Sequence, residues 1–281
     1  MAADTPSPAA EITKRSGSNL AIALHCLPRE RRDDMVAFYA FCRDADDIAD
    51  DPAAPAGDKR ARLARWSEVV RGEIAAPTPL EAEVLAVFQK YGIDPALPQA
   101  IIEGVSMDLE ARRYETFDDL LAYCYKVASA VGLVSIEIFG YQNDRCRAYA
   151  VDLGYALQIT NIMRDVGHDF REDRRIYLPH QDFREFGYTE EDLAQGVENE
   201  AFALIMERQY RRATDYFEKA AAELPPEDRR SMAAAQMMGK TYRRLLEKMR
   251  AGGFRVLNHR YRVSKLRKLA YLAAAFVQAR R

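Results

Sequence analysis

Apolar residues recur at spacings of three and four over most of the chain, the period of helices that turn one face to a core. Short β-branched runs closed by Asn-Gly or Asp-Gly turns are absent. Strong helix formers (Ala, Leu, Glu, Arg and Met) fill the stretches between breaks. The pattern predicts an all-α protein. Helices are expected over residues 19–26, 30–49, 58–74 and 80–91, the first stopped by Pro28. Others follow at 97–112, 117–139 and 144–171. A Pro/Ala loop is expected at 51–57 and an irregular stretch carrying Pro179 at 174–188. The rest reads as helix over 190–196, 199–224, 227–251 and 264–279, with Gly252-Gly253 as a stop signal. No repeat of fixed period is visible. Residues 1–14 read as a loose, disordered tail, polar and rich in Pro and Ala, and 15–281 as one catalytic-sized domain.

Composition narrows the classes. The 281 residues are 48% hydrophobic and 30% charged, enough to build a sizeable core and too apolar for a disordered chain. A net charge of −2 excludes a generally basic nucleic-acid binder. No uninterrupted apolar run approaches a membrane span, and the N-terminus lacks the apolar core of a signal peptide. Cys26, Cys42, Cys124 and Cys146 form no CxxC pair and read as small buried hydrophobes in a reducing compartment, which suits a cytoplasmic protein. No nucleophile elbow, Walker loop or dinucleotide glycine pattern is present.

Candidate chemistry sits on two helices about 120 residues apart. In the first, Tyr39, Arg43, Asp46 and Asp50 follow one another at +4, +3 and +4 and form a narrow polar stripe, with Phe41 and Ile48 on the opposite side. Two carboxylates at i and i+4 repel unless a positive charge lies between them, and a divalent cation is an economical answer. An exposed acidic helix end is the plain alternative, though acids near a helix C-terminus oppose its dipole. In the second, Gln158, Asp165 and Asp169 share a face, with Asn161 beside it and Arg164 further round. Gln and Asn inside an apolar helix need partners; a satisfied polar network is the alternative there. Two acidic pairs facing across a helical cavity suit two or three Mg²⁺ ions that bridge to a diphosphate, since Mg²⁺ takes few carboxylates and keeps water and phosphate oxygens.

These residues resemble the head-to-head trans-prenyl synthases, the squalene and phytoene synthases. The motifs are Tyr-Ala-Phe-Cys-Arg-Asp-Ala-Asp-Asp-Ile-Ala-Asp (39–50), Tyr-Cys-Tyr-Lys-Val-Ala-Ser-Ala-Val-Gly (123–132) and Gln-Ile-Thr-Asn-Ile-Met-Arg-Asp-Val-Gly-His-Asp (158–169), the last continuing to Arg175-Ile-Tyr-Leu-Pro179. The resemblance implies an isoprenoid-synthase helical bundle around a central cavity. It implies Mg²⁺-dependent condensation of two allylic diphosphates through a cyclopropyl intermediate. By motif position, Asp46, Asp50, Asn161, Asp165 and Asp169 match metal and diphosphate residues. Tyr39, Arg43, Gln158 and Arg164 match substrate contacts, and Tyr39 and Arg43 join the four aspartates as catalytic candidates. Tyr242, Arg260 and Lys268 match a C-terminal phosphate-binding set. Ser16, Ser18 and Asn19 occupy the N-terminal substrate-binding motif, where many members carry His or Lys; this is a departure from the family pattern. Gly132 matches a glycine that breaks a cavity helix, and a close-packing role is the alternative.

Within the family, the segments at 107–112 and 123–140 look most like bacterial presqualene diphosphate synthases, which join two farnesyl diphosphates. NADPH enters only if the reaction proceeds to squalene. Phytoene synthase, acting on two geranylgeranyl diphosphates, is the alternative product class. A head-to-tail elongase or a terpene cyclase fits less well, because 165–169 lacks the second motif of either. A non-catalytic helical scaffold is the alternative of another kind. The resemblance suggests a monomer or weak dimer with no membrane anchor. From residue 240 to 281, thirteen Lys/Arg stand against Glu247 alone, a basic amphipathic end suited to peripheral contact with the inner face of a membrane.

Overall fold

The computed structural model describes residues 7–16 and 23–280. Among them the chain is all helical, with no strand beyond one isolated bridge between Arg113 and Ile176. Helices α1 (Pro8–Ser16), α2 (Arg29–Asp50), α3 (Ala56–Val70) and α4 (Pro79–Tyr91) form the first half with α5 (Ala96–Met107). Helix α6 runs over Phe117–Phe139 and contains a π-helical turn at Tyr125–Ser129. The second half holds α7 (Arg145–Asp173), α8 (His180–Phe186), α9 (Glu190–Ala194), α10 (Glu200–Glu223), α11 (Ala233–Ala251) and α12 (Lys265–Arg280).

The expected element types hold, and the departures have local causes. Residues 8–14, assigned to the loose tail, lie in α1, which packs on α2 and buries Ala9. Where a helix was expected over 19–26, the described part is a short 3₁₀ turn, Leu24–Cys26. Helix α5 stops at Met107 instead of running to residue 112, because Asp108 is claimed from outside: its carboxylate accepts from Tyr123 and Tyr177, and its carbonyl accepts from Arg175. The irregular stretch 174–188 contains α8. Its first turn carries the buried Asp182, which is satisfied by Arg208, Gln209 and Arg212, and Gly187 in a left-handed conformation (φ 69°) closes it. Helix α11 begins at Ala233, after a 3₁₀ turn at Pro226–Asp228.

Helix α7 is the axis of the fold. It packs along α10 and against α6 and α11. Small residues let the backbones close up: a Cβ at Gly154 would stand 2.6 Å from Ser129 Cα, and one at Gly167 would stand 2.2 Å from the Leu257 carbonyl oxygen. Gly132 does not break α6. It sits inside Ala130–Phe139, and a Cβ there would lie 2.9 Å from the Ala150 carbonyl oxygen, which is the close-packing role. Helix α6 is long and apolar enough to cross a membrane by length and composition, but it packs against α5 and α7. The four cysteines are free, and three of them are buried as expected.

Candidate active site

Helix α2 is fixed by its apolar side. Phe41 is fully buried, with ring centroids 5.0 Å from Trp66 on α3 and 5.9 Å from Phe88 on α4. That anchoring aims the polar stripe away from α3 and α4, and tertiary contacts sort its acids. Asp44 accepts from Trp66 Nε1 at 2.7 Å, Asp47 pairs with Arg43 at 2.5 Å, and Asp51 accepts from the Ala53 amide. Asp46 and Asp50 remain, and both line a cavity of about 290 Å³.

Asp165, Asp169, Gln158, Asn161 and Arg164 of α7 line the same cavity. The two acidic pairs therefore share one hollow. Asp50 accepts from Arg175 at 3.2 and 3.3 Å. Asp165 accepts from Arg164 Nε at 2.9 Å and from Arg260 Nε at 3.0 Å. Asp46 and Asp169 make no ion pair among the described residues. Surrounding protein and then the neighbouring Asp50 push the Asp46 carboxyl up to about 7; Asp46 keeps access to water through the cavity. Burial and then Asp165 push Asp169 up to about 7 as well. Each pair thus holds one carboxylate matched by arginine and one under-compensated acid.

The C-terminal set converges on the second pair. Tyr242 meets Arg164 through its hydroxyl, and Arg260 bonds Asp165. Burial, then the charges of Arg262, Arg164 and Lys265, lower the Lys268 pKa. These cations outnumber the acids near them, an arrangement that suits an anion with many oxygens. Tyr39 and Arg43 lie outside the acidic cavity. Ser18 and Asn19 fall outside the described residues, as does the side chain of Ser16.

The sequence motifs pointed to the helical ligands and missed four residues of the wall: Asp108, Tyr123, Arg175 and Tyr177. Tyr123 and Tyr177 donate to Asp108 at 2.8 and 2.9 Å, and their rings stack at 5.2 Å. Burial raises the Asp108 pKa, opposed by these two hydroxyls and by Arg175. All four lie in motif segments already noted at 107–112, 123–132 and 175–179. Their joint role is set by loops, which leave no stripe to read.

A second hollow of about 220 Å³ adjoins the first, and Gln158 and Asn161 line both. Its walls are apolar: Val131, Ile136 and Phe139 on α6, Leu153 and Leu157 on α7, and Met238 on α11. From Asn161 to Tyr149 the trough follows twelve residues of α7, about 18 Å at the helical rise.

A family model for squalene/phytoene synthase matches residues 13–267. The chain belongs to the squalene/phytoene synthase family. The 15-cis-phytoene synthase of Synechococcus elongatus is 34% identical over 286 residues, spanning 96% of this chain and 91% of the relative. Phytoene synthase 1 of Arabidopsis thaliana is also 34% identical, over 89% of this chain and 61% of its own. Among solved structures, a dehydrosqualene synthase in complex with ligand aligns with a TM-score of 0.80 and 26% identity, covering 96% of this chain and 94% of that one. Squalene synthase HpnC from Alicyclobacillus acidocaldarius aligns with a TM-score of 0.78 and 26% identity over 88% and 93%. The squalene/phytoene synthase chain is thus a prenyltransferase of the head-to-head condensing class with the helical fold of that class.

Proposed function

We propose that this family member joins two farnesyl diphosphates head to head, yielding presqualene diphosphate or passing on to squalene. The observation that carries the reading is an acidic, arginine-flanked cavity that shares Gln158 and Asn161 with an adjoining apolar trough about 18 Å long. At carbon–carbon bonds of about 1.5 Å, an extended isoprene unit spans roughly 5 Å. A farnesyl tail then needs about 15 Å and a geranylgeranyl tail about 20 Å, so the shorter tail fits and the longer one presses on Phe139 and Tyr149.

The residues divide the work. Arg164, Arg260, Lys268 and Tyr242 bind and orient diphosphate oxygens, with Gln158 at the junction of head and tail. The trough excludes water from an allylic cation formed at its mouth and fixes the reacting carbons. Asp46, Asp50, Asn161, Asp165 and Asp169 fit Mg²⁺. They offer only oxygen donors, and Asn161 Oδ1 is buried with no hydrogen-bond partner among the described residues. Among the described residues no three acidic, His or Cys side chains cluster closely enough to cage an ion alone, which suits ions that share their ligands with a diphosphate. Bound there, two or three Mg²⁺ would neutralise the departing diphosphate. NADPH belongs to this reading only where the product is squalene.

The names of the curated relatives favour a second reading, phytoene synthesis from two geranylgeranyl diphosphates. Product mass after incubation with C15 or C20 diphosphate, with and without NADPH, decides. A C30 product from the C15 substrate, with slow or no turnover of C20, is expected. A C40 product formed faster than the C30 product overturns the chain-length assignment, and no condensation with either substrate overturns the reading as a whole.

A further inference from the structure

Helix α12 is anchored along one side and bare along the other. Its inner side rests on α11 and on the 3₁₀ turn at Leu24–Cys26. Its C-terminal end is tied down by Arg230, whose Nε donates to the Ala279 carbonyl at 2.7 Å, and by Gln278, whose amide donates to the Arg229 carbonyl at 2.8 Å. At 100° per residue, Leu266, Leu269, Ala270, Ala273 and Val277 fall within about 100° of arc on the outer side. Leu266 is 80% exposed, Leu269 58% and Val277 52%, and these make up three of the five large exposed hydrophobic side chains among the described residues. Among the described residues only Leu204 is a large exposed apolar side chain away from α12, so a row of three on one helix is not the usual scatter of single exposed residues.

The border of that row is basic. Arg262, Lys265 and Arg267, all exposed, surround its N-terminal end. Beyond the C-terminal end lies a cleft of about 730 Å³, the largest concavity described, lined by Phe276 and Ala279 of α12 together with Arg29, Arg31 and Arg230 and a single acid, Glu227. The cleft touches neither acidic pair. Among the described residues Phe139 alone lines both this cleft and the apolar trough. An apolar row inside a cationic frame, on a chain of net charge −2, matches a surface that is itself apolar below and anionic above.

We propose that the outer face of α12 docks on an anionic lipid bilayer, with Leu266, Leu269 and Val277 entering the acyl boundary and the flanking arginines and lysines meeting lipid phosphates. Docking here sets the Phe139 end of the trough beside the bilayer. The proposal goes beyond the condensation reading and does not depend on which prenyl chain is used.

The test is co-sedimentation of the full chain with vesicles of phosphatidylcholine alone or of phosphatidylcholine mixed equally with phosphatidylglycerol. Each sample is also assayed for prenyl diphosphate turnover without vesicles. The chain is expected to partition at least tenfold more strongly onto the phosphatidylglycerol vesicles, and less so as salt rises. The combined variant Leu266→Glu/Leu269→Glu/Val277→Glu, and the milder Leu266→Ser/Leu269→Ser/Val277→Ser, are expected to lose at least tenfold in partition while keeping turnover. Partition unchanged in both variants overturns the proposal, as does a wild-type chain that ignores phosphatidylglycerol. Light scattering that shows a wild-type dimer and monomeric variants also overturns it, because a second copy then covers the face. Turnover absent in the wild type would count against the condensation reading and leave the partition result standing on its own.

Discussion

The polar cavity and the apolar trough meet at Gln158 and Asn161, yet they are built on opposite rules. Along the trough beyond that junction the neighbours agree: Phe139, Leu153 and Ile136 are buried and packed. In the cavity the neighbours conflict: Asp46 stands beside Asp50, Asp169 beside Asp165, and an Asn161 oxygen has no partner among the described residues. Order without conflict selects a shape, here the length of a tail. Conflict held in place by a rigid scaffold selects a charge, here a cation together with the diphosphate that shares it.

The comparison breaks most visibly at the acids. Asp46→Asn or Asp165→Asn is expected to lower kcat on the order of a thousandfold, measured with farnesyl diphosphate and Mg²⁺. Asp46→Asn should do so without unfolding the protein. In metal-free buffer at pH 8 its Tm should equal or exceed that of wild type, since the substitution removes a repulsion that burial and Asp50 impose. A variant that loses activity only by losing structure contradicts the assignment.

Lys268→Ala comes next. The Lys268 ammonium sits in a cluster with Arg164, Arg262 and Lys265, so its loss removes one of several contacts to an anion. A rise in KM of about 10–100-fold with a smaller change in kcat is expected.

The trough gives a change of product more than of rate. Phe139→Leu is expected to let C20 diphosphate turn over and yield a C40 product, with C15 turnover within about threefold of wild type, since volume-reducing apolar changes of this size are tolerated. Phe139→Ala opens the trough toward the neighbouring cleft and sharpens the shift, at a folding cost of about 3–5 kcal/mol. Product mass that does not change in either variant places the chain-length stop elsewhere.

The smallest effect is on pH dependence. Asp46 and Asp169 have folded pKa values raised to about 7 against ordinary values near 4, so the folded state holds more protons than the unfolded chain between those limits. Stability of the metal-free protein should therefore fall as pH rises from about 4 to 7, as far as these two groups contribute, and level off above. Mg²⁺ with inorganic pyrophosphate should raise Tm more at pH 8 than at pH 5, because binding must displace those protons.

Much of this was legible from residue spacing. The periods of three and four gave α2, α4, α6, α7 and α10 to within a residue or two, since each carries a long stripe that must be buried. The two i, i+4 acid pairs were legible for the same reason, and they do face one cavity. Spacing was silent where tertiary partners decide. It did not show that Asp44 and Asp47 belong to Trp66 and Arg43 while Asp46 and Asp50 line the cavity. It did not show that Asp108 ends α5 by bonding two tyrosines from elsewhere in the chain. Helix α8 was missed because Pro179 reads as a breaker, whereas it stands immediately before the helix, where its fixed φ and missing N–H cost nothing. Helix α1 was missed because a Pro/Ala-rich start looks like a tail until Ala9 is seen against α2.

The most direct test of the account is Mn²⁺ binding, followed by electron paramagnetic resonance as a stand-in for Mg²⁺, with and without inorganic pyrophosphate. Wild-type protein is expected to immobilise two or three Mn²⁺ per chain with pyrophosphate and few without it, and Asp46→Asn/Asp169→Asn is expected to lose that uptake. Equal, pyrophosphate-dependent uptake by the wild type and the double variant would show that the facing acid pairs do not hold the cations.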